Sequence, residues 1–168
     1  MGKKKVETKG IVQVYTDGAY DHNRKIGGYG AVMFMVKNGE TVLKKFYSET
    51  SFSETTSNRM EIRAILACLK KISTGYTIDI YSDSTYCVNG VCKAVIQYCP
   101  TYKANPDLWQ ELMKELDRHK KKGSRISAHW VRSHSGNVYN ELADTLAYKG
   151  TNRPTSVSCG RKKKRVYE

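Results

Sequence analysis

The sequence predicts an α/β domain built on a mixed five-stranded sheet, three strands antiparallel and two parallel, with helices on both faces. Three observations predict it. Apolar stretches of strand length open the chain, separated only by turn residues, which gives an antiparallel meander. Segments with apolar residues at helical spacing follow. Two further short strands lie among those segments, and strands linked by helices pair in parallel through right-handed crossovers.

Residues 11–16 are β-branched and roughly alternating, so they form the first strand, and Asp17-Gly18 reads as a turn at its end. Residues 29–36 make the second strand, Asn38-Gly39 supplies a two-residue hairpin signal, and residues 41–47 make the third. Ser57 is a candidate N-cap with Glu61 in the first helical turn. Met60, Ala64, Ile65, Ala67, Cys68, Leu69 and Ile72 then recur at helical spacing up to Gly75. Residues 77–82 form a short fourth strand, and a helix begins near Ser84 with Val88, Val91 and Val95 on one side. Pro100 and Pro106 bracket a loop. From Pro106 to Lys122 an amphipathic helix turns Leu108, Trp109, Leu112, Met113 and Leu116 inward, and Gly123 closes it. Residues 126–131 are the fifth strand, and residues 138–149 are the last helix, which buries Leu142, Leu146 and Ala147.

A chain of 168 residues suits one domain, and a core of that size buries roughly 70% of the surface that the unfolded chain exposes. The net charge of +13 is uneven: residues 1–10 carry +3 and residues 151–168 carry +5, which leaves +5 for residues 11–150. We therefore divide the chain into a basic N-terminal arm (1–10), a folded domain (11–150) and a basic C-terminal tail (151–168). That balance points to a polyanion partner, of which nucleic acid is the commonest. The longest apolar run, residues 31–36, is far too short to cross a bilayer. No apolar stretch follows the N-terminal lysines to make a secretory signal. The expectation is a soluble, cytoplasmic, monomeric protein with no membrane contact. The run Arg161-Lys162-Lys163-Lys164-Arg165 would make it nuclear only as an import signal, and a DNA-binding tail has the same composition. The five cysteines are an odd set without a C-x-x-C pair, which argues for free thiols rather than disulfides or zinc.

Of sixteen acidic residues, four lie where a stable fold would not ask for charge. Asp17 and Asp83 end the first and fourth strands, both expected to be central, and ligands of open α/β sheets bind at the carboxyl ends of such strands. Glu61 opens a helix, and Asp144 sits in the last helix between Ala143 and Leu146. Singly, each is explained as a turn former, a cap or a helix-terminal acid. Together they suggest a cation site. Converging carboxylates repel by roughly 4 kcal/mol per close pair at an effective dielectric of about 20, and hard oxygen donors select magnesium or manganese.

Six words carry a resemblance: Tyr15-Thr16-Asp17-Gly18-Ala19, Gly27-Gly28-Tyr29-Gly30-Ala31, Thr55-Thr56-Ser57-Asn58-Arg59-Met60-Glu61, Ser82-Asp83-Ser84, Trp130-Val131-Arg132-Ser133-His134-Ser135-Gly136 and Asn140-Glu141-Leu142-Ala143-Asp144. In this order they resemble type 1 ribonuclease H over residues 11–150. The resemblance implies a ribonuclease H-like sheet and an endonuclease that cuts the RNA strand of an RNA–DNA hybrid, leaving a 5′-phosphate and a 3′-hydroxyl. It implies two magnesium ions, replaceable by manganese, on Asp17, Glu61, Asp83 and Asp144. It gives His134 a part in proton transfer or product departure, and it sets Glu141 at the rim of the metal site. Gly18, Ala19 and Asn23 would meet the RNA strand with Glu61. Thr56 and Asn105 would hold a DNA phosphate, with Ser57 and Asn58 at the minor groove. His22, His119 and His129 are given no role.

The sequence also departs from the family pattern. Glu54 stands where an arginine is common in the phosphate pocket, with Arg59 or the basic ends as the compensating charge. Ser57 stands where an asparagine is common, and Ala94 replaces a channel aromatic, with Tyr98 one turn on. A basic protrusion is reduced to Lys93 and Lys103, and the expectation is a domain without a hybrid-binding domain before Ile11. Two competing readings are a fold relative acting on other nucleic acid, such as a junction resolvase or polymerase-linked domain, and a non-catalytic duplex binder.

Overall fold

The computed structural model describes residues 7–51, 55–97 and 100–152. Strands β1 (Ile11–Asp21), β2 (Ile26–Lys37) and β3 (Glu40–Ser51) lead into α1 (Ser57–Lys71), β4 (Thr77–Ser82), α2 (Thr85–Ile96), α3 (Pro106–Lys121), β5 (Arg125–Trp130) and α4 (Val138–Thr151). The sheet order is β3-β2-β1-β4-β5, with β1–β2 and β2–β3 antiparallel and β1–β4 and β4–β5 parallel. This is the sheet that the sequence predicts, with β1 at its centre.

Alternation along the strands assigns the two faces, because successive side chains point to opposite sides. Val12, Val14, Ala31 and Met33 join the larger core with Ile62, Ile65 and Leu69 of α1 and Trp109 and Leu112 of α3. Val32 and Phe34 pack instead with Ala143 and Leu146 of α4, joined by Tyr15. Helices thus cover both faces, α4 alone on the second among the described residues. Leu142 and Met113 are only partly buried, whereas Leu146, Ala147 and Leu116 are buried. Asn38 and Gly39 both take positive φ (51° and 77°), the mirror-image turn that suits the strand twist of a tight hairpin. Cys68, Cys87 and Cys92 are free thiols.

Several boundaries differ from the expectation. Asp17-Gly18 is not a turn: β1 runs on to Asp21, with Asp17 paired to Gly30 and Gly18 to Tyr29. The glycine is there for close approach, since a Cβ on Gly18 would lie 2.4 Å from the backbone nitrogen of Glu61. Gly30 meets α4 in the same way, a Cβ there falling 2.3 Å from the Ala143 carbonyl oxygen. Thr56, not Ser57, caps α1, its Oγ1 accepting from the Arg59 N–H at 3.2 Å. Glu61 is consequently the fifth helical residue, in the second turn, and α1 has no acid in its first. β5 ends at Trp130, one residue earlier than expected. Glu54, Tyr98, Lys3 to Lys5 and the run Arg161 to Arg165 lie outside the described residues.

Candidate active site

The parallel ladder between β1 and β4 stops at Thr16 and Ser82. The next residue of each strand is an aspartate, so the fold sets Asp17 and Asp83 side by side where the central strands part. The close approach at Gly18 brings Glu61 of α1 over the same point. One carboxylate oxygen from each of Asp17, Glu61 and Asp83 lies within 4.8 Å of the other two. Asp17 is 7% exposed and Glu61 6%.

Burial drives the Asp17 carboxyl well above its ordinary range, and hydrogen bonding to Glu61, the charges of Glu61 and Asp83, and a hydrogen bond with Asp144 add to the push. Burial also raises Glu61, while its hydrogen bond with Asp17 works the other way. Without a cation, a proton on Asp17 is what relieves the repulsion. Glu61 Oε2 is buried without a hydrogen-bond partner. A set of hard oxygens, one orphaned and all crowded, fits a divalent cation. Asp144, in the middle of α4, is half-buried and reaches Asp17, yet it lies outside the tight three-carboxylate group.

The other candidates spread around this centre. His134 is exposed on the loop between β5 and α4, in left-handed backbone conformation (φ 51°). Glu141 accepts from the Gly136 N–H at 3.3 Å, so it ties down the loop that carries His134. Gly18 and Ala19 continue β1 beyond Asp17, and Asn23 is an exposed turn residue whose N–H donates to Asp21 at 2.9 Å. Ser57 and Asn58 are exposed at the start of α1. Thr56 and Asn105 both adjoin Arg59: Thr56 caps its N–H, and Asn105 Oδ1 accepts from its Nη1 at 3.3 Å. Arg59 also grips Asp107 with two bonds of 2.9 and 2.7 Å, so much of its charge is already answered by a carboxylate. Ala94 is half-buried and packs on the main core.

Two neighbours of Asp83 stand in the family words but were given no role there. Trp130 Nε1 donates to the Asp83 carbonyl oxygen at 3.1 Å, and Asn140 Nδ2 donates to its carboxylate at 3.3 Å. Asn140 stands four residues before Asp144, on the same helical face, and that spacing was the available signal.

Sheet order and acidic cluster together describe a ribonuclease H-like architecture, and the comparisons agree. Residues 9–152 match the sequence model of the RNase H family. Ribonuclease H of Orientia tsutsugamushi is 39% identical over 147 residues, covering 83% of this chain and 81% of that protein. Ribonuclease HI of Haemophilus influenzae is 34% identical over 157 residues, covering 89% and 95%. Among solved structures, LC9-RNase H1, a type 1 RNase H with the type 2 active-site motif, superposes with a TM-score of 0.69 at 23% identity, over 88% of this chain and 74% of that one. RNase H1 of the archaeon Halobacterium salinarum gives a TM-score of 0.62 at 23% identity, over 84% and 97%. The chain belongs to the ribonuclease H family, enzymes that cleave the RNA strand of RNA–DNA hybrids with divalent metal ions. No helix of the described residues is long and apolar enough to cross a membrane.

Proposed function

We propose that this chain is a cytoplasmic, monomeric endonuclease that hydrolyses the RNA strand of RNA–DNA hybrids, leaving 5′-phosphate and 3′-hydroxyl ends. Asp17, Glu61, Asp83 and Asp144 would hold two magnesium ions, with manganese as a substitute. The observation that carries the reading is the convergence of Asp17, Glu61 and Asp83, from three separate elements, within 4.8 Å. A pair of bound ions supplies activation of the attacking water and stabilisation of the leaving 3′-oxygen in an in-line displacement.

The chain's own residues do the rest. Asp17, within β1, and Asp83, directly after β4, tie the site to the two central strands. Glu61, backed by α1, completes it and excludes water from one side. His134, exposed on a loop that Glu141 steadies, takes or gives a proton as product departs. Gly18, Ala19 and Asn23 lie along the RNA side, where 2′-hydroxyls in the wide minor groove distinguish RNA from DNA. Ser57 and Asn58 face the minor groove between the strands. Thr56 and Asn105 receive a DNA phosphate beside Arg59, in a pocket partly neutralised by Asp107. The basic segments 1–10 and 151–168 add sequence-independent attraction to phosphate.

The test is cleavage of labelled RNA–DNA hybrid, duplex RNA and duplex DNA, with magnesium and then with chelator. Cutting confined to the hybrid's RNA strand and abolished by chelator is expected. Cleavage of all three duplexes, or of none, refutes the reading, and a resolvase or a non-catalytic binder would give those results. Removal of residues 154–168 should raise KM and flatten its salt dependence, and an unchanged slope would refute the role given to the tail.

A further inference from the structure

Among the described residues, three buried side-chain polar atoms have no hydrogen-bond partner: Thr16 Oγ1, Glu61 Oε2 and Asn140 Oδ1. Two of them belong to one place: Glu61 is in the carboxylate cluster, and Asn140 donates to Asp83 Oδ2, whereas Thr16 points to the opposite face of β1 from Asp17. A buried acceptor left without a partner costs roughly 1–3 kcal/mol, so two beside the same carboxylates mark where something outside the chain completes the network.

Asn140 is the third residue of α4 and only 2% exposed. Its backbone N–H donates to the capping Oδ1 of Asn137 at 3.0 Å, which fixes the turn of helix that carries it. The assignment of its side-chain amide follows from charge. With Nδ2 on the carboxylate of Asp83 the contact is attractive, whereas the flipped amide would set oxygen against oxygen. Oδ1 is therefore the end left open. Asp83 itself is half-buried and follows β4 directly, so packing alone does not fix its carboxylate. Trp130 holds its backbone carbonyl and Asn140 its side chain. A neutral carboxamide does this without adding a further negative charge to a crowded site.

We propose that Asn140 is a positioning residue for the cation site: its Nδ2 holds Asp83 in one orientation, and its Oδ1 accepts a hydrogen bond from water in the cation's hydration shell. The inference rests on the cation-dependent reading given above. Groups that orient metal ligands typically change metal affinity or activity by about 10–100-fold when removed.

The test uses Asn140→Ala and the volume-matched Asn140→Leu, with manganese titrated calorimetrically into chelator-treated protein and kcat and KM measured on hybrid. Both variants should bind manganese about tenfold more weakly than the unsubstituted protein. Their kcat should fall at limiting manganese and recover at high manganese, with KM for hybrid unchanged. A folded variant with manganese affinity within about twofold of the parent overturns the proposal. So does a raised KM at unchanged metal affinity, which would make Asn140 a substrate contact, and so does loss of folding in both variants, which would make it structural. If the parent protein binds no manganese, the reading of the site fails instead, and the two failures are thereby told apart.

Discussion

Two clusters of buried polar groups in this molecule are built on opposite terms. Around His119, which is 0% exposed, every ring nitrogen is answered. Nε2 meets the Leu69 carbonyl at 2.9 Å and Nδ1 meets Ser124 Oγ at 3.1 Å, while Ser124 Oγ also accepts from the Gly75 N–H at 2.8 Å. This node ties α3 to the end of α1 and to the turn before β4. Around Asp17, Glu61 and Asp83 the buried groups are alike in charge and partly orphaned. A polar cluster that serves the fold is closed on itself. A polar cluster that serves a ligand is left open, and the remainder of the fold must stabilise it.

The largest effect that would break this comparison is at the open cluster. Asp17→Asn should lower hybrid cleavage by roughly 10³-fold, the loss of several kcal/mol of transition-state stabilisation. The same substitution should raise the melting temperature of the chelator-treated protein, because an amide needs neither a proton nor a cation to be tolerated beside Glu61 and Asp83. A variant both inactive and less stable would mean that Asp17 is structural. At the closed node the signs reverse: His119→Ala should cost about 2–4 kcal/mol of stability, from the cavity and the abandoned partners, with little change in KM. Denaturant unfolding measures it.

The two nodes also respond to pH in opposite directions. Burial holds the His119 imidazole below its ordinary value of 6.5. The unfolded chain then binds the extra proton first, so this contribution is complete above about pH 6.5 and is lost as pH falls through the folded-state value. The Asp17 carboxyl is raised above its ordinary 3.8, so the folded state binds the proton first. Its contribution is present in acid and is lost as pH rises above 3.8 and through the raised folded-state value. Melts of chelator-treated protein across pH should show both flanks. Magnesium should flatten the alkaline flank alone and, at a hundredfold excess over its dissociation constant, add about 2.7 kcal/mol. If magnesium flattened both flanks equally, the two nodes would not be separable. The smallest effect is expected at the Arg59–Asp107 pair, where the guanidinium draws the Asp107 carboxyl down to about 2. Asp107 is largely exposed (side chain 61%), and Asp107→Asn should therefore cost less than about 1 kcal/mol. A cost matching His119→Ala would show that burial is not what separates these sites.

Much of this was legible along the chain. Hydrophobic period and turn residues gave the nine elements of the described residues in order, because each element is recorded locally in which residues are apolar and how they repeat. The site of Asp83 followed from the same logic, since an acid directly after an apolar central strand sits at the sheet's carboxyl edge; Asp17 lies instead within β1, where its parallel ladder with β4 stops. Boundaries were less legible. Asp17-Gly18 has the composition of a turn, yet β2 continues to pair with β1 through Asp21, and ladder bonds to a neighbouring strand outweigh a local turn preference. The reason for Gly18 lies on α1, some forty residues away in the chain, and only packing reveals it.

By itself the sequence determined the fold class and the family words and named four candidate carboxylates, all from residue type and spacing. Only the tertiary structure decided how these residues stand to one another. It brought Asp17, Glu61 and Asp83 within one ion's reach and left Asp144 at the margin. It turned His119 into a closed anchor and gave Asn140 a hand on Asp83. The reason is physical: period and composition act over neighbouring residues, whereas burial, orphaned atoms and shifted carboxyls arise when distant segments exclude water together.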